Sequence, residues 1–251
     1  MAMYESFAAL YDQLMDDFDY PEWADYYMRL LDRAGVRLRT LCDCACGTGS
    51  MSVQFAARDL RVTGVDIAQD MLEIAAVKAR REGVKAMFVC QDMCALELPR
   101  PVDALVCACD GVNYLLTEER LKAFFSAAFR AVKPGGALAF DISSRYKLEE
   151  TMGDAFFGEE RDDVAYLWAN SLDKEKHIVT MDITFFAREE EEADLYRRFT
   201  EKHVQRAHSA DEVADLLAEC GFENIEIFGD RTFEAPVADE KRIHFLARKA
   251  K

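Results

Sequence analysis

Leu41-Cys42-Asp43-Cys44-Ala45-Cys46-Gly47-Thr48-Gly49-Ser50 is the stretch around which the rest of the chain is organised. Leu41 to Cys44 reads as a buried strand, the two glycines force a tight turn, and Met51, Val53, Phe55 and Ala56 carry helical periodicity. A strand, a glycine turn and a helix leave backbone N–H groups bare at a helix N-terminus, where a ligand can approach closely. About 17 residues past Gly49, a second apolar strand, RVTGVD, ends on Asp66, a spacing that suits an acid holding a ribose hydroxyl. The pair is far more informative than a lone glycine doublet and points to a ligand, against the alternative of an ordinary βαβ turn that binds nothing.

Working outward, 251 residues with 51% hydrophobic content can bury a large core, as one big domain or one carrying an insertion. No stretch approaches the roughly 18 apolar residues of a membrane span. The first residues include Glu5 and lack the basic start of a signal peptide, so a cytoplasmic, membrane-free protein is expected. The net charge of −16, from 31 basic and 47 acidic residues, repels a phosphate backbone and argues against nucleic acid. A small neutral or cationic substrate fits better. The sequence leaves the oligomeric state open.

Eight cysteines raise a metal or disulfide reading. Cys42, Cys44 and Cys46 alternate and would share one face, but there is no CxxC, and His177, His203, His208 and His244 all lie far off in sequence. Reduced thiols packed in a parallel sheet are expected, with no metal.

Residues 3–18 have helical spacing, and a second helix starts at Pro21, presents Trp23, Tyr26, Tyr27, Leu30 and Leu31 on one stripe, and closes at Gly35. Strands then alternate with helices. Helix Asp70–Glu82 leads to strand Lys85–Cys90 with Asp92 just beyond, and strand Val102–Cys109 reaches Asp110, Asn113 and Tyr114. Helix Glu118–Val132 leads through Lys133, Pro134, Gly135 and Gly136 into strand Ala137–Ile142. Buried continuous strands of this kind form a parallel sheet covered on both faces. Residues 163–205 instead alternate with period two, predicting a three-stranded antiparallel insert with Glu189–Glu192 in its second turn. A capping box at Ser209–Glu212 opens a last helix, and strands Asn224–Phe228 and Arg242–Ala247 finish the chain. The expected architecture is α/β: a doubly wound, Rossmann-like seven-stranded sheet with an antiparallel closing hairpin, plus a small antiparallel β insert. Residues 1–144 and 207–251 would form the main domain, and 145–206 an inserted lobe.

In an open α/β sheet, ligands bind outside the carboxyl ends of the strands. The glycine turn, Asp66, Asp92 and the Asp110–Tyr114 stretch all fall there. A dinucleotide site would want G-x-G-x-x-G, and the third position counted from Gly47 is Ser52.

The order DCACGTG, VTGVD, CQDM and PGG resembles the class I S-adenosylmethionine-dependent methyltransferases over roughly residues 40–142 and 207–248. The opening FAALYDQLM is similar to the helix before the first strand in bacterial small-molecule members. The resemblance implies S-adenosylmethionine as cofactor and a role for each matching residue. Asp43 would brace the turn, and Cys46, Gly47 and Gly49 would lie along the methionine part. Asp66 would take the ribose hydroxyls and Ile67 would pack on the adenine. Asp92 and the Met93 N–H would meet the adenine edge, Cys109 and Asn113 would border the sulfonium, and Tyr4 and Tyr11 would close over the cofactor. Cys46 stands where the family more usually has Gly or Ala.

Methyl transfer from a sulfonium needs mainly alignment of donor and acceptor, with a base only for a protonated acceptor. The loop DGVNY lacks the NPPY-type sequence linked to methylation of planar amino groups. The insert would then build the acceptor site. On its last strand Glu201, His203 and Gln205 share a face, either as a base and anchor or as a solvated edge. Tyr114, Arg145 and Tyr146 are further candidates to face the substrate. An NAD(P)-linked oxidoreductase and a non-catalytic S-adenosylmethionine-binding protein remain the alternatives.

Overall fold

Leu41 and Cys42 face opposite sides of the strand they share, and both sides are buried. Leu41 joins Val62, Ala104, Val106 and Ala139 in one core, while Cys42 joins Leu105, Leu138 and Phe140 in the other. That is the pattern of a sheet covered on both faces, where every second residue meets a different helical layer. The computed structural model describes residues 10, 12, 14, 18–189 and 195–251.

The main sheet takes β1 (Thr40–Cys44), β2 (Arg61–Asp66), β3 (Ala86–Cys90), β4 (Val102–Cys107), β5 (Val132–Ser143), β10 (Glu223–Phe228) and β11 (Arg242–Arg248), in the order β10-β11-β5-β4-β1-β2-β3. Strands β1 to β5 pair in parallel, and β11 runs antiparallel to both β5 and β10. The strand order reverses between β1 and β4, which makes their carboxyl ends the expected ligand crevice.

Helices α1 (Tyr20–Arg33) and α2 (Ser50–Ala56) cover one face. Pro21 lies in the first turn of α1, the Asp19 side chain accepts from the Glu22 N–H at 2.9 Å, and Gly35 closes the helix at φ 68°. Helix α3 (Gln69–Arg81) links β2 to β3. Helices α4 (Glu118–Ala131) and α5 (Ala210–Glu219) cover the other face, each capped by a hydroxyl, Thr117 and Ser209 respectively. Phe140 and Phe245 stack at 4.9 Å within that second core.

Strands β6 (Phe156–Glu160), β7 (Val164–Asp173), β8 (Ile178–Arg188) and β9 (Tyr196–Arg206) form a second, antiparallel sheet in the order β6-β7-β8-β9. It has four strands where three were expected. All five residues of β6 are exposed, so its sequence carries no alternation to read. Residues Tyr146–Met152 form a π-helical turn leading into it. Its apolar inner face packs with Leu10, Leu14 and Met71, which brings it over the start of α3. Among the described residues, no helix is long and apolar enough to cross a membrane.

Of the first expected helix, Leu10, Asp12 and Leu14 are described and helical; Tyr4, Tyr11 and residues 190–194 lie outside the described residues. Asp12 is tied down by Lys78, whose Nζ donates to it at 2.8 Å and to Ser50 Oγ at 2.6 Å.

Candidate active site

The turn after β1 is built from left-handed residues: Ala45 at φ 53°, Gly47 at 52° and Gly49 at 74°. It is pinned to the next strand by Cys46 N–H donating to Val65 O at 3.1 Å and by Gly47 N–H donating to Asp66 Oδ2 at 2.8 Å. The other Asp66 oxygen accepts from Ala68 N–H at 2.9 Å. Beneath, the buried Asp43 accepts from Ser52 Oγ at 2.5 Å. Burial pushes its carboxyl up to about 7, against the pull of that hydroxyl.

The two glycines do different work. A Cβ on Gly47 would meet nothing within 4 Å, so its backbone is bare to an incoming group. A Cβ on Gly49 would come within 2.7 Å of Ala75 Cβ. Gly49 therefore lets α3 pack close and does not line the cavity, which differs from its expected place against the cofactor.

A cavity of about 910 Å³ opens over these strand ends and runs beneath the second sheet. From the main sheet it takes Asp43, Cys46, Gly47, Asp66, Ile67 and Asp92, then Met93, Cys109 and Tyr114. Ile67 is 70% exposed and presents an apolar side chain on its wall. Asp92 caps the short turn after it by accepting from Cys94 N–H and is gripped by Arg120 through two bonds of 2.9 and 3.0 Å. The Arg120 hydrogen bonds hold the Asp92 carboxyl below its usual range.

Strand β4 stops at Cys107, short of its expected end, because Cys109 and Asp110 turn left-handed at φ 60° and 54°. Their N–H groups donate to the two oxygens of fully buried Asp141, at 2.8 and 3.0 Å. Tyr27 Oη donates to Asp141 at 2.7 Å, and Arg242 bridges Asp141 and Asp110. Burial pushes the Asp141 carboxyl up, but Arg242, His244 and these hydrogen bonds outweigh it and hold it below the ordinary range.

Strand β9 contributes Glu201, His203 and Gln205 to the opposite wall. Gln205 Nε2 donates to Asp110 Oδ2 at 2.8 Å, and His203 Nδ1 lies 3.1 Å from Tyr114 Oη. Burial pushes the His203 imidazole down and the Glu201 carboxyl up, so each leans toward its neutral form.

Three other expected residues lie elsewhere. Asn113 is wholly buried, with Nδ2 donating to Ser143 O and Arg206 O and Oδ1 accepting from Ser143 N–H; it ties β5 to β9 and is not at the cavity. Arg145 turns to Ala207 O and Glu149, and neither it nor Tyr146 lines the cavity. Conversely Tyr20, Lys147 and Arg242 line it without local sequence signal. The Lys147 ammonium is pushed down by burial, with Arg242 adding to the effect and Asp110 opposing it.

The crevice fits S-adenosylmethionine: bare Gly47 backbone, carboxylates at the ends of two strands, an uncovered Ile67 between them and an acidic rim for a cation. A family model described as a methyltransferase domain matches residues 41–136. A Geobacillus sp. (strain WCH70) protein, provisionally named a methyltransferase, is 35% identical over 247 residues, 98% of this chain and 99% of the relative. The crystal structure of an S-adenosylmethionine-dependent methyltransferase from Clostridium acetobutylicum ATCC 824 superposes with TM-score 0.89 at 30% identity, over 100% of both chains. An amino pentose methyltransferase from Micromonospora echinaspora, solved with S-adenosylmethionine bound, shares the fold at TM-score 0.75 and 20% identity, over 100% of this chain and 98% of that one. With this crevice and these relatives, the chain belongs to the class I S-adenosylmethionine-dependent methyltransferases.

Proposed function

We propose that this enzyme methylates a small molecule seated beneath the second sheet, which acts as a lid formed by residues 145–206. The observation that carries this reading is the single cavity wall shared by Asp66 and Ile67 of the main sheet and Glu201, His203 and Gln205 of β9. S-adenosylmethionine, when bound, supplies a methyl group already activated by its sulfonium.

The remaining work falls to the protein. Asp66 uses two of about four lone-pair sites on backbone N–H groups, leaving the others for the ribose hydroxyls. Ile67 and Met93 would flank the adenine, and Asp92 would keep a site for its amino group beside Arg120. Asp43 and Cys46 would brace the turn against the methionine part, with Cys109 beyond. Tyr114 orients His203, which serves as the base when the acceptor carries a proton, while Gln205 anchors the acceptor side through Asp110. The lid excludes water and aligns acceptor with methyl, the main source of rate in such a displacement.

The charge of −16 supports a neutral or cationic acceptor over nucleic acid. Eight unpaired thiols suit a reducing compartment, and the cytoplasm is where we place the enzyme. The amino pentose methyltransferase of the same fold acts on a small molecule, which favours the same class here. Turnover of small amines, carboxylic acids and phenols with S-adenosylmethionine tests the reading; methylation confined to macromolecules would overturn it.

A further inference from the structure

The inner face of the second sheet holds a carboxylate to which the described residues supply no partner. Glu201 pairs across β9–β8 with Ile183, which pairs in turn with Trp168 on β7. Met181 and Phe185 lie one pleat to either side on the same face. Glu201 is only 7% exposed, its Oε1 has no hydrogen-bond partner, and no ion pair reaches it among the described residues. The adjacent Lys202 turns to the other face and pairs with Asp182 at 3.4 Å. An apolar side chain would suit this floor better, since burying an unpaired carboxylate is costly. The cost is recovered when a bound cation supplies the missing charge, and Glu201 lies on the cavity wall where a ligand can do so.

From this we infer that the methyl acceptor carries a basic nitrogen: a small molecule with a primary or secondary ammonium group, held by Glu201 against the Trp168 wall. The inference deepens the small-molecule reading above and rests on it. Trp168 adds an aromatic face of the kind that favours organic cations. An ammonium has no lone pair, so one proton passes first to the neutral His203 two residues along the same face. The new C–N bond then forms as the S–CH3 bond breaks, with that electron pair staying on sulfur, so sulfonium and amine become thioether and methylated ammonium. His203 returns its proton to solvent.

The test is calorimetric titration of the whole protein, saturated with S-adenosylhomocysteine, with matched pairs: benzylamine against benzyl alcohol, and cyclohexylamine against cyclohexanol. In the wild type the amine should bind at least tenfold tighter than its alcohol in one pair or both. In Glu201→Gln that preference should shrink to within about threefold. Alcohols binding as tightly as amines, or a preference that survives in the variant, would overturn the inference while leaving a small-molecule acceptor standing. No binding by any of the four probes would overturn the inference, while the turnover panel above decides the small-molecule reading separately. Titrating the variant with S-adenosylmethionine and S-adenosylhomocysteine separates one rival: selective loss of the cationic form would place Glu201 against the sulfonium and defeat the acceptor assignment. Should the variant not fold, the wild-type amine–alcohol comparison decides alone.

Discussion

Tyr114 Oη lies 3.1 Å from His203 Nδ1, so a side chain from the turn after β4 orients a ring on the last strand of the second sheet. When Nδ1 donates to the phenol oxygen, Nε2 carries the lone pair that a base needs. His203→Ala is expected to cut turnover by about 10²–10⁴ while leaving S-adenosylhomocysteine affinity within about twofold. Burial lowers the His203 pKa from 6.5, so the neutral imidazole persists below its ordinary range. Wild-type turnover should therefore hold as pH falls through 6.5 and decline only further down; a kcat–pH profile reads both.

Asp66→Ala removes the group proposed for the ribose and two hydrogen bonds it accepts, from Gly47 N–H in the turn and from Ala68 N–H at the start of α3. Charge-assisted hydrogen bonds contribute about 1.5–3 kcal/mol each. Affinity for S-adenosylhomocysteine should drop at least tenfold by calorimetry, with the far-ultraviolet dichroism of the wild type retained.

Asp43 makes stability depend on pH in the less common direction. Its folded pKa is raised from 3.8 to about 7, so the folded state binds the proton more tightly. Its contribution is full below about pH 4 and is lost as pH rises through about 7. Urea unfolding across that window should show a falling component of up to about 1.4 kcal/mol per pH unit, and Asp43→Asn should remove it.

The glycines of the turn separate packing from exposure. Gly49→Ala meets Ala75 Cβ at 2.7 Å in a left-handed backbone and should destabilise by about 1–3 kcal/mol or more. Gly47→Ala meets nothing within 4 Å and should lose about 1–2 kcal/mol from its φ alone. The second variant should nevertheless show the larger relative loss of cofactor affinity, because Gly47 lines the cavity and Gly49 does not; paired urea melts and titrations compare them.

Much of the main sheet was legible because its signals are local: glycine turns, strand-terminal acids and continuous apolar strands, each readable within about ten residues. The closing hairpin was legible too, from two short strands flanking Pro236. What escaped the sequence is set at long range. Asp92 meets Arg120 across 28 residues, Asn113 reaches Arg206 across 93, and Arg242 reaches Asp141 across 101. β6 was missed for the opposite reason, since an exposed edge strand has no buried face to impose a period.

The position of β11 sets an order of assembly. It sits between β5 and β10, so β10 has no sheet neighbour until the residues after it have joined. β11 also brings Arg242, the counter-ion of buried Asp141, whose two oxygens shape the Cys109–Asp110 bend at the crevice. A chain cut after β10 is therefore expected to keep every cofactor motif while losing Arg242, and with it the charge that holds Asp141 and the bend it shapes.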